Sequence, residues 1–445
     1  MTAPVWRAGA FAVLSTLSLV LPLFGPEIAL ILGSVVILGA LVVTEGRLFD
    51  LLAYPDDYED GRLYGVIAFV FGAGILGFFT TAFSMPVSVL VGTVVLVGYG
   101  NLAERLARRR FDQGVRSVAA FCVGGAVAGV AGQIATISIA GDPLESALPA
   151  VLFLAASGVL LAALLRDVLL LYDDPVIMLS VGLLLWLLAE LLTDPETTIG
   201  PVEILAALAV TIALGYISYA LDTASIAGML TGVLLGLLTI VLGGYGWFVV
   251  LISFFGIGGL STKFRYDEKE SRGVAEDNDG ARGSGNVLGN SAVGLAAVLG
   301  YAASSAGMIP AESELFLFAF AGSVAAAMSD TLSSEVGSVF DEPLLITTLE
   351  RVDPGTDGGV TWQGTLAGFV GSAIVAVLSF VFFAEVGAIG AAIIAAAGFV
   401  GMLVDSVLGA TLEGTTLGNQ GVNFLATLSG AIFCALIVLS MAALA

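Results

Sequence analysis

Two short segments of this sequence have the residue types and spacing for metal-assisted chemistry. Asp330-Thr331-Leu332-Ser333-Ser334-Glu335 sets two carboxylates around three hydroxyls. On a helix Asp330 and Ser334 share one face, and Thr331 and Glu335 share the adjacent one. Asp405-Ser406, followed by Gly409 and Thr411, restates the start of that pattern. Carboxylates with hydroxyls make a hard oxygen site suited to Mg²⁺, so Asp330, Glu335 and Asp405 are the candidate ligands. Both segments close apolar runs, where a charged group is costly and marks a candidate for function. Leu221-Asp222-Thr223-Ala224-Ser225 echoes them, as an internal repeat would.

The cations gather elsewhere. The chain has only two lysines, Lys263 and Lys269, in one polar stretch with Arg265, Arg272 and Arg282. Gly273, Gly280, Gly283 and Gly285 let that stretch turn, and Asn286 and Asn290 close it at i,i+4 spacing. A helix beginning there would add anion-binding N–H groups to a cationic loop fit for phosphate. A solvated loop on the positive side of a membrane is the plain alternative. A third stretch, Gly355-Thr356-Asp357-Gly358-Gly359 with Thr361 and Gly364 beyond it, can wrap phosphates with backbone amides. Glu413, Asn419, Gln420 and Asn423 follow the Asp405 segment. Histidine is absent, which removes the commonest general base and metal ligand. Cys122 and Cys434 fall in apolar runs and read as packing residues. The remaining inventory suits Mg²⁺-assisted phosphoryl transfer.

The elements that position these residues are membrane helices. Hydrophobic residues make up 58% of the chain and charged residues 12%. Apolar runs of about 17–25 residues recur, which indicates an all-α, polytopic membrane protein rather than a barrel. About fifteen spans are expected, centred near residues 16, 36, 73, 92, 128, 154, 184, 212, 234, 252, 298, 321, 374, 397 and 432. With a cytoplasmic N-terminus, that count puts every Arg- and Lys-bearing loop on the cytoplasmic side, and Asp194, Glu196, Glu312 and Glu314 on the other. Arg7 alone precedes the first apolar run and no convincing cleavage site follows, so that run reads as a retained span of a multi-pass cell-membrane protein. The chain divides near residue 200, into 1–200 and 201–445. The net charge of −22 and the scarcity of lysine suggest a salt-loaded cytoplasm such as that of a halophilic archaeon, and argue against nucleic acid as a partner.

Four motifs, taken in order, resemble a known family. Thr262-Lys263 through Asn290, Asp330 through Gly337, Gly355 through Thr365, and Asp405 through Thr411 resemble the domain-of-unknown-function 92 family over roughly residues 200–445. Its members include the plant phytyl-phosphate kinase and the animal transmembrane protein 19. The resemblance implies a kinase acting on isoprenyl monophosphates such as phytyl or geranylgeranyl phosphate, with CTP or another nucleoside triphosphate as donor. Residues 1–200 are more faintly similar to the phytol and dolichol kinase group, at Glu45, Arg47, Asp60-Gly61, Tyr64-Gly65, Gly98, Glu104 and Arg108. Tyr99 stands where that group has an acidic residue, which makes a degenerate copy or scaffold the expectation.

Together these readings predict a lipid phosphate kinase working at the cytoplasmic face. Lys263, Lys269 and Arg282, with Arg265, are expected to neutralise phosphates. Asp330, Glu335 and Asp405 are expected to hold Mg²⁺. Asn286, Asn290, Ser334 and Asn423 are expected to position substrate beside the Gly355, Thr356, Gly358 and Gly359 loop. A cation-coupled transporter, with carboxylates at mid-membrane in broken helices, is the rival from another class. A nucleotidyltransferase on the same lipids is a third reading. Oligomeric state is not readable from the sequence.

Overall fold

The computed structural model describes residues 4–111, 114–168, 173–192, 200–273 and 282–444. The expected acidic loop at Asp194 and Glu196, and Gly280, lie outside the described residues. Helix dominates the rest, because a chain crossing lipid must satisfy its backbone polar groups internally. Among the described residues, thirteen helices are long and apolar enough to cross a membrane. Two of the fifteen expected spans fall short of that length. They are the apolar helices Ile28–Val42, of 15 residues, and Tyr245–Ser261, of 17. At about 1.5 Å per residue they reach less than the roughly 30 Å of a hydrocarbon core.

The chain divides into two compact units, Met1–Leu208 and Ala209–Ala445. The first contains α1 (Pro4–Thr16), a 3-10 turn (Leu17–Val20), α2 (Leu21–Phe24), α3 (Ile28–Val42), α4 (Arg47–Leu52), α5 (Asp57–Asp60), α6 (Tyr64–Phe83), α7 (Val87–Ala107), α8 (Val115–Ala140), α9 (Leu144–Val168) and α10 (Asp174–Leu191). Several of its polar residues pair within the unit. Buried Glu104 on α7 accepts from Arg108 and from Arg166, the latter at 3.1 Å. The Asp60-Gly61 stretch is a pinned turn, in which the Asp57 carboxylate accepts from the Tyr54 amide at 2.8 Å and the Tyr64 amide at 3.0 Å. Gly98 lets α7 close on Ser15 of α1.

The division between units falls within α11 (Pro201–Ala220). The second unit continues with α12 (Ile226–Gly243), α13 (Tyr245–Ser261), the short α14 (Tyr266–Ser271), α15 (Ser284–Ser305) and α16 (Ser313–Gly337). A two-stranded hairpin follows, β1 (Leu344–Leu345) with β2 (Gly359–Val360), antiparallel with Leu344 opposite Val360. Then come α17 (Trp362–Phe382), α18 (Ala388–Leu412) and α19 (Asn419–Leu444).

Helix α16 is the axis of this unit, packed by α13, α15, α17, α18 and α19. In lipid, helices associate through close van der Waals packing rather than burial from water, and the neighbours of α16 meet it with glycine. Gly364, Gly368 and Gly371 line one face of α17 at helical spacing. A Cβ on any of them would stand 2.7–2.9 Å from the Ser333, Ser329 or Met328 carbonyl of α16. Gly322 of α16 and Gly430 of α19 face each other with equal economy. Trp247, Phe254, Phe320, Val298 and Met328 belong to the apolar core, with the Trp247 and Phe320 rings 4.6 Å apart.

Candidate active site

Helices α15, α17 and α19 begin, and α16 and α18 end, around one cavity of about 320 Å³. Asp330 and Asp405 stand about two turns, roughly 10 Å, inside the ends of α16 and α18 at Gly337 and Leu412. Both helices run unbroken through these positions, unlike the broken helices expected of the transporter alternative. The carboxyl groups of Asp330 and Asp405 lie within hydrogen-bonding reach of each other, and Ser334 bonds Asp330 one turn on. Both i,i+4 pairs inferred from the sequence, Asp330 with Ser334 and Thr331 with Glu335, line the cavity.

The wall is acidic. Among the described residues, Asp330, Glu335, Asp357, Asp405 and Glu413 line it against one guanidinium, that of Arg282. Burial, and then the nearby Asp357 and Asp330 carboxylates, push the Glu413 carboxyl above its usual range. Oδ1 of Asp405 is buried without a hydrogen-bond partner. An orphaned carboxylate oxygen beside a second carboxylate and a serine is a donor set that fits a hard cation. Among the described residues, no three His, Cys, Asp or Glu side chains gather to hold an ion without help. Mg²⁺ is commonly held in this way, by one or two carboxylates together with substrate phosphates.

The cationic stretch behaves differently from its sequence reading. Lys269 is 2% exposed, and its ammonium group is fully engaged. Nζ donates to the Thr262 carbonyl at 2.7 Å and the Ser261 carbonyl at 3.4 Å, and pairs with the Glu335 carboxylate. Lys269 thus caps the end of α13 and ties it to the last turn of α16. Arg265 pairs with Glu268 on α14. The Lys263 ammonium lies 5.6 Å from the centre of the Tyr266 ring. None of the three is among the wall residues. Of the expected clamp, Arg282 alone reaches the cavity.

Arg282 is held by its backbone. Its amide donates to the Thr223 carbonyl at 3.0 Å, and its carbonyl accepts from the Ser225 amide at 3.1 Å. Its guanidinium sits 5.3 Å from the centre of the Phe254 ring, beside Gly258 of α13. The segment at Leu221–Ser225, which echoes the acidic motifs, holds Arg282 through a single isolated β-bridge at Ala224, and Asp222 is not a wall residue.

Asn286 and Asn290 face the cavity from the first turns of α15, where Asn290 Nδ2 donates to the Asn286 carbonyl at 3.0 Å. Gly285 and Gly289 press that turn against Gln420, which brings Asn419 and Asn423 of α19 to the same wall. The loop before α17 contributes Gly355, Thr356, Gly358 and Gly359. Gly358 takes φ +75°, and a Cβ there would lie 2.6 Å from the Ser406 carbonyl, so only glycine lets this loop lie down on α18. Ser338, Phe340 and Pro343 also line the cavity. Sequence reasoning passed over them because they sit between motifs.

Comparison with known proteins bears on the second unit. Residues 209–431 match the family described as integral membrane protein DUF92. An uncharacterized membrane protein of Methanocaldococcus jannaschii is 33% identical over 216 residues, covering 47% of this chain and 84% of the relative. An uncharacterized membrane protein of Synechocystis is 36% identical over 194 residues, 42% of this chain and 72% of the relative. The chloroplastic protein VTE6 of Arabidopsis thaliana is 33% identical over 190 residues, 42% of this chain and 56% of the relative. No solved structure matches.

Proposed function

The chain belongs to the integral membrane protein family DUF92, and from that premise we propose that it is a membrane-embedded kinase of prenyl monophosphates. A phosphate oxygen of the acceptor attacks the terminal phosphorus of a nucleoside triphosphate. The new P–O bond forms as the bond to the bridging oxygen breaks, and a nucleoside diphosphate leaves. The acceptor phosphate is already an anion, so the absence of histidine is no obstacle.

The observation that carries this reading is the acidic, recessed cavity at one end of an apolar bundle, with a single guanidinium beside a carboxylate pair. Such a wall repels phosphates unless a cation accompanies them. Asp330 and Asp405 would hold Mg²⁺, which when bound supplies charge neutralisation for the polyphosphate. Arg282 neutralises and orients the transferring group in a partly dry site, where charge-assisted bonds are strong. Asn286, Asn290 and Asn423 hold the acceptor, and the amides of the Gly355–Gly359 loop cradle the donor. Lys269 acts through Glu335, by fixing the end of α16. The resemblance of the four motifs to a family that includes a phytyl-phosphate kinase supports the choice of acceptor. With all fifteen apolar helices crossing, the arginine- and lysine-bearing loops share one side, which supports a cytoplasmic site.

The test is direct. Purified protein in lipid nanodiscs, given CTP or ATP, Mg²⁺ and geranylgeranyl phosphate, is expected to form the diphosphate. If no product forms with any nucleotide or any prenyl phosphate, the reading is wrong.

A further inference from the structure

Beside the polar cavity lies a second, mostly apolar cleft between α11, α12, α13 and α15, with a volume of about 70 Å³. Leu214, Met229, Phe248, Ile252 and Phe255 line it. Arg282 forms part of the wall of both spaces. We propose that this cleft takes the isoprene unit next to the acceptor phosphate, so that Arg282 stands where the chain of the lipid ends and its head begins. The inference rests on the kinase reading for the identity of the head group. The site of the chain is argued from the cleft itself.

Three observations point the same way. First, a phosphate at Arg282 has an acidic, polar space on one side and an apolar one on the other, and an amphiphilic ligand divides itself along that line. Second, the cleft is small. At about 10–15 Å³ for each water-sized occupant, it has room for the head-proximal part of a branched chain and leaves the remainder to the bilayer. Third, it is left open by glycine. A Cβ at Gly232 would meet nothing within 4 Å, and one at Gly259 only Thr223 at 3.9 Å. These glycines therefore differ from those of α17, which are consumed by helix contact. Gly232 is a vacancy in the cleft wall that a side chain can fill without moving the backbone.

The cleft therefore sets which lipid is accepted close to its head, and its contribution is to binding rather than to chemistry. Gly232→Leu is expected to fill it. The variant should fold as the wild type does, bind nucleotide unchanged, and show a KM for geranylgeranyl phosphate raised at least tenfold with kcat little altered. A prenyl phosphate carrying a diazirine on its first isoprene unit should label the cleft walls on α11, α12, α13 or α15 in the wild type, and Gly232→Leu should lose that label. A wild-type KM in the variant, or a label that maps to other helices, overturns the assignment. The two readings can fail separately. Labelling in the cleft with no turnover of any prenyl phosphate sustains the cleft and sinks the kinase. Turnover with labelling elsewhere does the reverse.

Discussion

Replacing Lys269 by Met separates two views of the cationic stretch. By residue type, Lys269 belongs to a phosphate clamp and its loss should abolish turnover without disturbing the fold. By position, it is a structural anchor. An ammonium group has three hydrogens, and all three have partners, two carbonyls at the end of α13 and the Glu335 carboxylate. None is left for a phosphate, and the side chain is 2% exposed. Removing it strands Glu335, which is 8% exposed. Breaking a buried pair from one side costs about 3–5 kcal/mol, because the remaining charge is uncompensated. Lost bonds to the two carbonyls add about 1 kcal/mol each. Lys269→Met should thus be strongly destabilised, by many degrees in Tm. The double variant Lys269→Met, Glu335→Leu removes both charges and should recover most of the loss, since well-packed apolar replacements of a buried pair are often neutral. The assay is thermal unfolding of the purified protein in detergent, paired with prenyl-phosphate turnover per folded molecule. A single variant as stable as wild type but inactive would refute the anchor and restore Lys269 to the clamp.

Other expectations follow from the same geometry. Asp330→Asn and Asp405→Asn should each lower kcat by about 10²–10³-fold or more, the scale of losing one preorganised electrostatic group, while unfolding stays close to wild type. Mg²⁺ should raise the Tm of the wild type more than that of either variant in the presence of nucleotide. Arg282→Lys keeps the charge but loses the planar fork. With charged hydrogen bonds worth about 1.5–3 kcal/mol, kcat/KM should fall by roughly one to two orders of magnitude. Gly358→Val should cripple turnover with the bundle still folded, because left-handed backbone and the Ser406 carbonyl both exclude its side chain. Limited proteolysis in the 343–361 loop would register the change.

The parts of the site that follow a local period were readable in advance. Asp330 with Ser334, Asn286 with Asn290, and the Gly355–Gly359 turn each announce themselves within a few residues, and the structure brings them to one wall. The long apolar runs likewise declare helices. What local pattern cannot carry is partnership across the chain. Nothing near Lys269 names Glu335, 66 positions away, as the group that consumes its charge. Nothing near Arg282 says that Thr223 and Ser225 hold its backbone. The glycines are ambiguous for the same reason. Gly368 and Gly232 look alike in sequence, yet one faces a carbonyl of α16 and the other faces open space. Only the packing distinguishes them.

The depth of the carboxylate pair has a further consequence for how two dissimilar substrates meet. Lifting an isoprenoid out of the bilayer costs about 0.8 kcal/mol for each methylene exposed to water. Because Asp330 and Asp405 lie roughly two turns below the helix ends, the lipid has little need to rise. On the kinase reading it is the water-soluble donor that would descend, lowering its phosphates into the bundle while its base stays near the rim. A kinase built this way would avoid the extraction cost, and would leave recognition of the base to residues remote from the reacting bond.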